Sequence, residues 1–416
     1  MELTTVHRYL DGLSYENVND VEVRATLRAA RGFCAHHAWQ FLDVTHDSLG
    51  AAIIYRDVLG TILAELGPLA GRHSFRQFLR RFTRASLPLD QVIGSTTERI
   101  RPRMPCPACQ ALGIAVAERG HSRTYLCLPH CRVAAASGRL NSADLREVRA
   151  ATIRRLERLV SKAESPGRRR QSRWNPQERR GSQFDLAEVA FGKRGIARVL
   201  GKLQAAVAEP ISSVSAPPHA LGPTADGHTC LVCTLVARDV TEALAAHGQT
   251  LSERLAALIE ADDLCNVHAW RALDAAGGEA EARRYPMSPD DVDRLARKIR
   301  LATPTSQCRA CVLQDRREAD YCVELGNLVD ATATDQPRPQ LGPICLPHLL
   351  RAFSLVPGDR VLSLVHVHVG ALRQLRQELA EYIRKHDYRF RNESAGTEQT
   401  APARALALVV GARSLG

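Results

Sequence analysis

At 416 residues the chain is longer than one ordinary hydrophobic core requires, which predicts two domains. Hydrophobic residues make up 45% of it and aromatic residues only 5%, so the cores are aliphatic, and an Ala- and Leu-rich composition favours helices. The formal charge of +11 points towards an acidic partner without requiring one, and no apolar run is long enough to span a bilayer.

The N-terminus, Met-Glu-Leu-Thr-Thr-Val-His, lacks the basic and apolar regions of a signal peptide. A bacterial-type cytoplasmic protein with no membrane partner is therefore expected.

Residues 1–33 read as helices, with Val6, Leu10 and Leu13 at helical spacing and Asn19-Asp20 as a break or N-cap. A helix through Trp39 and Leu42 follows Cys34, and Ala51–Leu59 is helix-compatible. Leu66-Gly-Pro-Leu69 and Leu87-Pro-Leu89 mark turns. Between them residues 72–84 are basic and amphipathic, with Phe75, Phe78, Leu79 and Phe82 on one side. Asn141-Ser-Ala-Asp144 opens a helix carrying Val148, Leu156 and Val160.

Residues 164–183 are basic, contain Pro and Gly, and read as a disordered linker. A helix is expected over 184–208 and a Pro-rich linker over 209–227. Beyond it, helices are expected at 231–246 and 250–261, from Cys265 through Trp270, from Ser288-Pro289-Asp290-Asp291, and from Cys311 through Val329. The longest is expected at 359–386, and the tail, 392–416, ends in a short apolar piece, Ala403–Val410. The fold class is thus mostly α.

Ten of twelve cysteines sit in CxxC or CxxH words, which in a chain without an export signal favours metal binding over disulfides. Pairing each CxxC with the next CxxH gives Cys106 and Cys109 with Cys127 and His130, Cys230 and Cys233 with Cys265 and His268, and Cys308 and Cys311 with Cys345 and His348. Each is the Cys₃His set of a structural zinc site, so about three Zn²⁺ ions are expected. Redox dithiols would belong near a βαβ pattern, which is absent, and an iron–sulfur cluster would show denser Cys-only spacing. Of the two cysteines outside the words, Cys322 reads as a small buried hydrophobe and Cys131 as a packing residue.

The words repeat. Cys34-Ala-His-His37-Ala-Trp39 matches Cys265-Asn-Val-His268-Ala-Trp270, and Cys127-Leu-Pro-His130 matches Cys345-Leu-Pro-His348. A duplication follows, with related halves at 1–163 and 228–391. In this scheme Cys34 and His37 form a fourth, incomplete site, and an in-frame CxxC upstream of Met1 is expected. Those words, together with Tyr15-Glu-Asn-Val-Asn-Asp20, Ala52-Ile-Ile-Tyr-Arg-Asp57, Glu381-Tyr-Ile-Arg-Lys-His-Asp-Tyr-Arg-Phe390 and Arg404-Ala-Leu-Ala-Leu-Val-Val-Gly411, resemble a bacterial domain-of-unknown-function family with repeated CxxC and CxxH motifs. The resemblance implies no enzyme activity.

No HExxH, deaminase, P-loop or GxSxG word is present, so no catalytic residue is assigned. His366 and His368 read as individual core or boundary histidines, and Asp57, Asp387 and Arg389 as members of buried ion pairs that fix helix packing. The expected function is a non-enzymatic scaffold or adaptor with a protein or nucleic-acid partner. The alternatives are an enzyme with an unrecognised pocket and nucleic-acid binding through the arm at 166–181, where Arg168, Arg169, Arg170, Arg173, Arg179 and Arg180 would meet phosphates and Trp174 a base.

Overall fold

The computed structural model describes residues 2–79, 88–111, 142–164, 182–191, 229–245, 251–261, 263–275, 289–298, 308–331, 342–390 and 392–413. Among the described residues there are helices and no strand, as the composition predicts. Contacts divide the chain into two compact units. Unit one comprises Met1–Glu118, Ile211–Ala237 and Arg316–Gly416, and unit two comprises Arg119–Pro210 and Arg238–Asp315. These units cut across the contiguous halves 1–163 and 228–391, because each unit draws on both.

Unit one begins with α1 (Glu2–Gly12), which runs on through a π-helical turn, Leu13–Asn17. Then come α2 (Val21–Ala30), α3 (Ala35–Thr45), α4 (Ser48–Leu79) and α5 (Leu89–Ile100). Asp20 caps α2 as its position suggests, accepting from the amides of Glu22 and Val23 at 2.9 and 2.8 Å. The helix ends on Arg31 and Gly32, both with positive φ, and Gly32 N–H returns to Leu27 O at 2.7 Å. The buried Arg31 guanidinium donates to the carbonyls of Arg28 and Ile100, each at 3.1 Å, and to that of Arg99. One side chain thus ties the ends of α2 and α5 and supplies donors to the terminal carbonyls of Arg99 and Ile100. Arg103 N–H adds a bond to Ala29 O at 2.8 Å, which brings the chain after α5 beside Cys34.

Unit two contains α6 (Ser142–Glu164), α7 (Ser182–Phe191), α9 (Leu251–Ala261), α10 (Asn266–Asp274) and α11 (Pro289–Lys298). Its core includes Val148, Leu156, Leu186, Val189, Leu255, Leu258, Ile259, Val292 and Leu295. Arg254 donates to the carbonyls of Ala272 and Ala245 at 3.0 and 3.2 Å, and Asn266 Nδ2 to that of Phe191 at 2.6 Å. The remaining helices are α8 (Leu231–Ala245), α12 (Arg309–Ala331), α13 (Leu346–Leu355), α14 (Gly358–Lys385) and α15 (Ala401–Val410). The unit boundaries fall inside α8 and α12.

In unit one α4 packs along α14, with α15 and α5 against α4. Tyr55, Val58, Leu59, Ile62 and Leu66 meet this core, as do Leu372, Leu379, Ala405 and Leu406. The expected turn at Leu66-Gly-Pro-Leu69 is absent, because α4 continues through Pro68. An interior proline costs about 3 kcal/mol, and burial of Leu66 and Leu69, worth about 1.5–3 kcal/mol each, offsets it. At 32 residues α4 is therefore longer than α14 at 28. Pro88 does precede a helix start, as expected at the second Pro.

His368 is fully buried and His366 exposed, on different sides of α14. Asp57 bridges helices, accepting from Arg28 at 2.6 Å and Arg24 at 3.3 Å. Asp387 and Arg389 pair with each other at the surface, rather than in a buried pair. The termini of the expected linker 164–183 are helical at Glu164 and Ser182. Outside the described residues lie the arm at 166–181, the segment 192–228, Cys127, His130 and Cys131, and the side chains of 72–84.

Gly32 combines a φ of +86° with a Tyr55 ring atom 3.2 Å from where a Cβ would sit. Gly94, mid-helix in α5, has nothing within 4 Å of its Cβ position. Gly32→Ala is expected to cost about 1–3 kcal/mol and Gly94→Ala to stabilise by about 0.5–1 kcal/mol, read from urea denaturation midpoints.

Candidate metal centres

All six described words fold alike. The first cysteine of each lies just before a helix, and the second ligand falls three residues later in its first turn. Cys34, Cys265 and Cys345 are N-caps with φ between −67° and −76° and ψ between 159° and 169°, and none makes a side-chain capping bond. Their carbonyls still accept the first helical bond, each at 2.9 Å. Cys106, Cys230 and Cys308 do the same for helices starting at 107, Leu231 and Arg309. In every word the sulfur and the residue three positions on are turned towards one point, and at Cys308 the sulfur also accepts from the Cys311 amide at 3.4 Å.

Three such points exist among the described residues. Centre I joins Cys34 and His37 to Cys106 and Cys109. Centre II joins Cys230 and Cys233 to Cys345 and His348. Centre III joins Cys265 and His268 to Cys308 and Cys311. Centres I and II lie within unit one and centre III within unit two. In each, all four ligand atoms lie within 4.8 Å of one another, so each can hold a metal ion.

The separations agree closely between centres. His37 Nδ1 lies 3.4, 3.5 and 3.3 Å from the sulfurs of Cys34, Cys106 and Cys109. His348 Nδ1 lies 3.5, 3.5 and 3.1 Å from those of Cys230, Cys233 and Cys345. His268 Nδ1 lies 3.3, 3.4 and 3.3 Å from those of Cys265, Cys308 and Cys311. Sulfur pairs stand at 3.8 Å (Cys34–Cys109), 3.6 Å (Cys233–Cys345) and 3.7 Å (Cys265–Cys311). These are far longer than a disulfide bond of about 2.05 Å, and the cysteines are free.

The expected pairing of each CxxC with the next CxxH is corrected. Cys308 and Cys311 do not meet Cys345 and His348, and Cys230 and Cys233 do not meet Cys265 and His268. The outer words of that half close together and the inner words close together. Nor are Cys34 and His37 half a site, since Cys106 and Cys109 complete it. The cause in unit one is visible: Arg31 and the Arg103–Ala29 bond bring the segment after α5 to the start of α3.

Other groups, unmarked in the sequence, support the ligands. Ala412 N–H points at Cys233 Sγ at 3.4 Å, and Gly411, with φ +91°, has its Cβ position 3.8 Å from the same sulfur. Trp39, two residues beyond His37 on α3, donates from Nε1 to Gly411 O at 3.2 Å, and Arg413 pairs with Asp43 of the same helix. The tail thus touches a ligand of centre II while gripping the helix that carries centre I. His348 Nε2 faces Glu318 at 3.9 Å, and Glu318 also faces Arg351 at 3.6 Å. His368 Nδ1 bonds to Ile344 O at 2.6 Å, fixing the residue before Cys345. Burial lowers His368 to about 4, so it is neutral there and its Nδ1–H donates. Cys322, buried as expected, directs its thiol at His348 O.

Without a cation the ligands compete for charge. Hydrogen bonds from Cys106 and Cys109 hold Cys34 far below an ordinary thiol, and those from Cys265 and Cys311 do so for Cys308. Cys109 and Cys311 are correspondingly raised by the same neighbours. Burial opposes protonation of His37 and His268, yet bonds from Cys106 and Cys34, and from Cys265 and Cys308, raise both to about 9. In centre II burial works against ionising Cys230, but Cys233, Cys345 and His348 hold it well below the ordinary value, while burial raises Cys345 and Cys230 raises Cys233. His348 is held well above its ordinary value. A bound cation displaces those protons.

No protein-family model, curated protein or solved structure matches this chain.

Two outcomes follow from this geometry. At pH 7 the imidazole and at least one thiol of each centre carry protons, so metal uptake by the stripped protein releases at least two protons per ion and weakens on acidification, measured by proton-release titration. All four ligands of centre II are buried, whereas Cys311 of centre III is exposed. During chelation, maleimide is expected to label Cys308 and Cys311 several-fold faster than Cys230, Cys233 and Cys345, read by peptide mass spectrometry.

Proposed function

We propose that the three centres hold zinc as structural ions and that the protein is a non-enzymatic, zinc-stabilised helical scaffold or adaptor for macromolecules. The observation that carries this is the closed donor set: three thiols and one imidazole converge at each centre, with nothing left for a reacting water. A tetrahedral zinc with Zn–S of about 2.3 Å and Zn–N of about 2.05 Å sets sulfurs about 3.8 Å apart and sulfur and nitrogen about 3.6 Å apart. The observed 3.6–3.8 Å and 3.1–3.5 Å fit that figure. Three soft thiolates also disfavour magnesium or calcium, which take oxygen donors. The basic arm behind the nucleic-acid alternative lies outside the described residues, and so gains nothing from the geometry. The cytoplasmic location and the bacterial family resemblance belong to the same proposal.

Elemental analysis of the purified protein is expected to give about three zinc ions per chain and about two in Cys308→Ser, because that change opens centre III alone. In Cys345→Ser, Cys308 and Cys311 should stay protected from alkylation while Cys230 and Cys233 become reactive. Stripping the metal is expected to unfold helices, since such ions contribute about 10 kcal/mol or more to small zinc domains. A metal-free protein with unchanged circular dichroism would reject the structural role.

A further inference from the structure

The sulfurs of the three centres differ little in spacing and greatly in access. Cys311 of centre III is exposed, and no other described cysteine is. Arg309 and Val312, beside it at the start of α12, are exposed as well. Cys230, Cys233 and Cys345 of centre II are buried, and the thiols of centre I are part-buried. We propose that centre III is a reversible oxidation site for small hydroperoxides, at which Cys311 reacts first and Cys265 closes a disulfide with it. For the ion the proposal rests on the zinc reading above; the sulfur chemistry needs only the thiols.

Three observations carry it. First, access selects the reacting sulfur. Cys311 lies in the first turn of α12, where a helix N-terminus favours the thiolate, and it is open to solvent.

Second, spacing selects the partner. Cys265 Sγ stands 3.7 Å from Cys311 Sγ. Each sulfur needs to move by about 0.8 Å to close that gap to a disulfide's length of about 2.05 Å. Cys308 is less free to compete, because its sulfur accepts from the Cys311 amide at 3.4 Å. The Cys233–Cys345 pair of centre II is as close, at 3.6 Å, but it is buried, so spacing and access coincide only in centre III.

Third, the two helix starts are fastened without the ligands. Arg309 N–H donates to Asp263 O at 3.0 Å, and Arg309 Nε meets Asp263 Oδ2 at 2.7 Å. Asp263 is two residues before Cys265, and Arg309 directly follows Cys308. The clasp keeps the sulfurs within reach of each other when the ion leaves.

The chemistry balances with one peroxide. The Cys311 thiolate attacks a peroxide oxygen: an S–O bond forms, the O–O bond breaks, and the departing hydroxide takes a proton to become water. The Cys265 thiolate then attacks the sulfenic sulfur: the S–S bond forms, the S–O bond breaks, and a second hydroxide leaves as water. Two thiolates lose two electrons in all, and one hydrogen peroxide and two protons become two waters. Only Cys308 and His268 remain as donors, too few to hold the ion. The disulfide joins α10 to α12 where the ion joined them, and a thiol reductant reverses it.

The test uses the intact protein as purified, treated with hydrogen peroxide at one equivalent per chain. Zinc release is followed with a chromogenic chelator, and linkages are mapped by alkylation and non-reducing peptide mass spectrometry. About one ion per chain should be released, with a Cys265–Cys311 linkage and Cys308 left alkylatable. The thiols of centre II should oxidise at least about tenfold more slowly. Dimedone present during the reaction should tag Cys311, and Cys265→His, which keeps a fourth donor, should increase that tag and abolish the linkage. Dithiothreitol with added zinc should restore the starting zinc content. A Cys308–Cys311 linkage, a dimedone tag mainly on Cys308, or equal oxidation of centres II and III would overturn the proposal. Zinc content before peroxide is measured separately. If it is nil, the zinc reading fails, while the linkage map of the reduced protein still decides the thiol pair.

Discussion

The structure depends on one repeated contact: two helix N-termini facing each other across four ligand atoms. Every described word places a cysteine at the N-cap and its second ligand in the first turn, so both donors leave the helix at its positive end. With a divalent ion bound, three thiolates and a neutral imidazole would carry one net negative charge. Two helix N-termini present roughly half a positive charge each. The backbone would offset that charge, which suits centre II, whose four ligands are all buried. At Cys34, Cys265 and Cys345 the sulfur makes no capping bond to its own helix, so the cap's usual contribution of about 1 kcal/mol is given up there, whereas Cys308 Sγ keeps a bond from the Cys311 amide at 3.4 Å.

Because a centre fastens helix starts, it decides which segments belong together, and it does so over long separations. Cys230 and His348 are 118 positions apart, and Cys34 and Cys109 are 75 apart. Closing such loops costs entropy that grows only slowly with length, whereas the contribution of a metal held at such a centre would be local and large. That balance explains why compact units can be assembled from discontinuous pieces: unit one takes its first 118 residues and its last 101 or so from opposite ends of the chain.

Much of this was legible in the residues. The words, their four-ligand chemistry, the helix starts at Asp20 and Pro289, and the separate fates of His366 and His368 all follow from local rules acting within a turn or two. The pairing of words does not, because each CxxC is chemically equivalent to every other and nothing in its own spacing names a partner. One signal was available. Cys34 and Cys265 carry the same His-Ala-Trp sequel, so a partner found for one applies to the other. Pairing Cys34 with Cys106, the next CxxC downstream, would have assigned Cys265 to Cys308. The continuation of α4 through Pro68 was hidden because the burial that offsets the proline is tertiary. The amide of Ala412 was hidden because a backbone donor leaves no mark in the sequence.

The tail shows how the centres in unit one are linked mechanically. Gly411 adopts a φ open to glycine, which turns its carbonyl to Trp39 and the next amide to Cys233. An N–H aimed at a thiolate withdraws charge from the sulfur and shields it. The other end of the same peptide segment restrains α3, whose first turn holds His37. Centre I and centre II are therefore connected through one indole bond and one amide, outside the α4–α14 core. The two centres are in this sense one assembly, and Gly411 is the residue on which their connection turns.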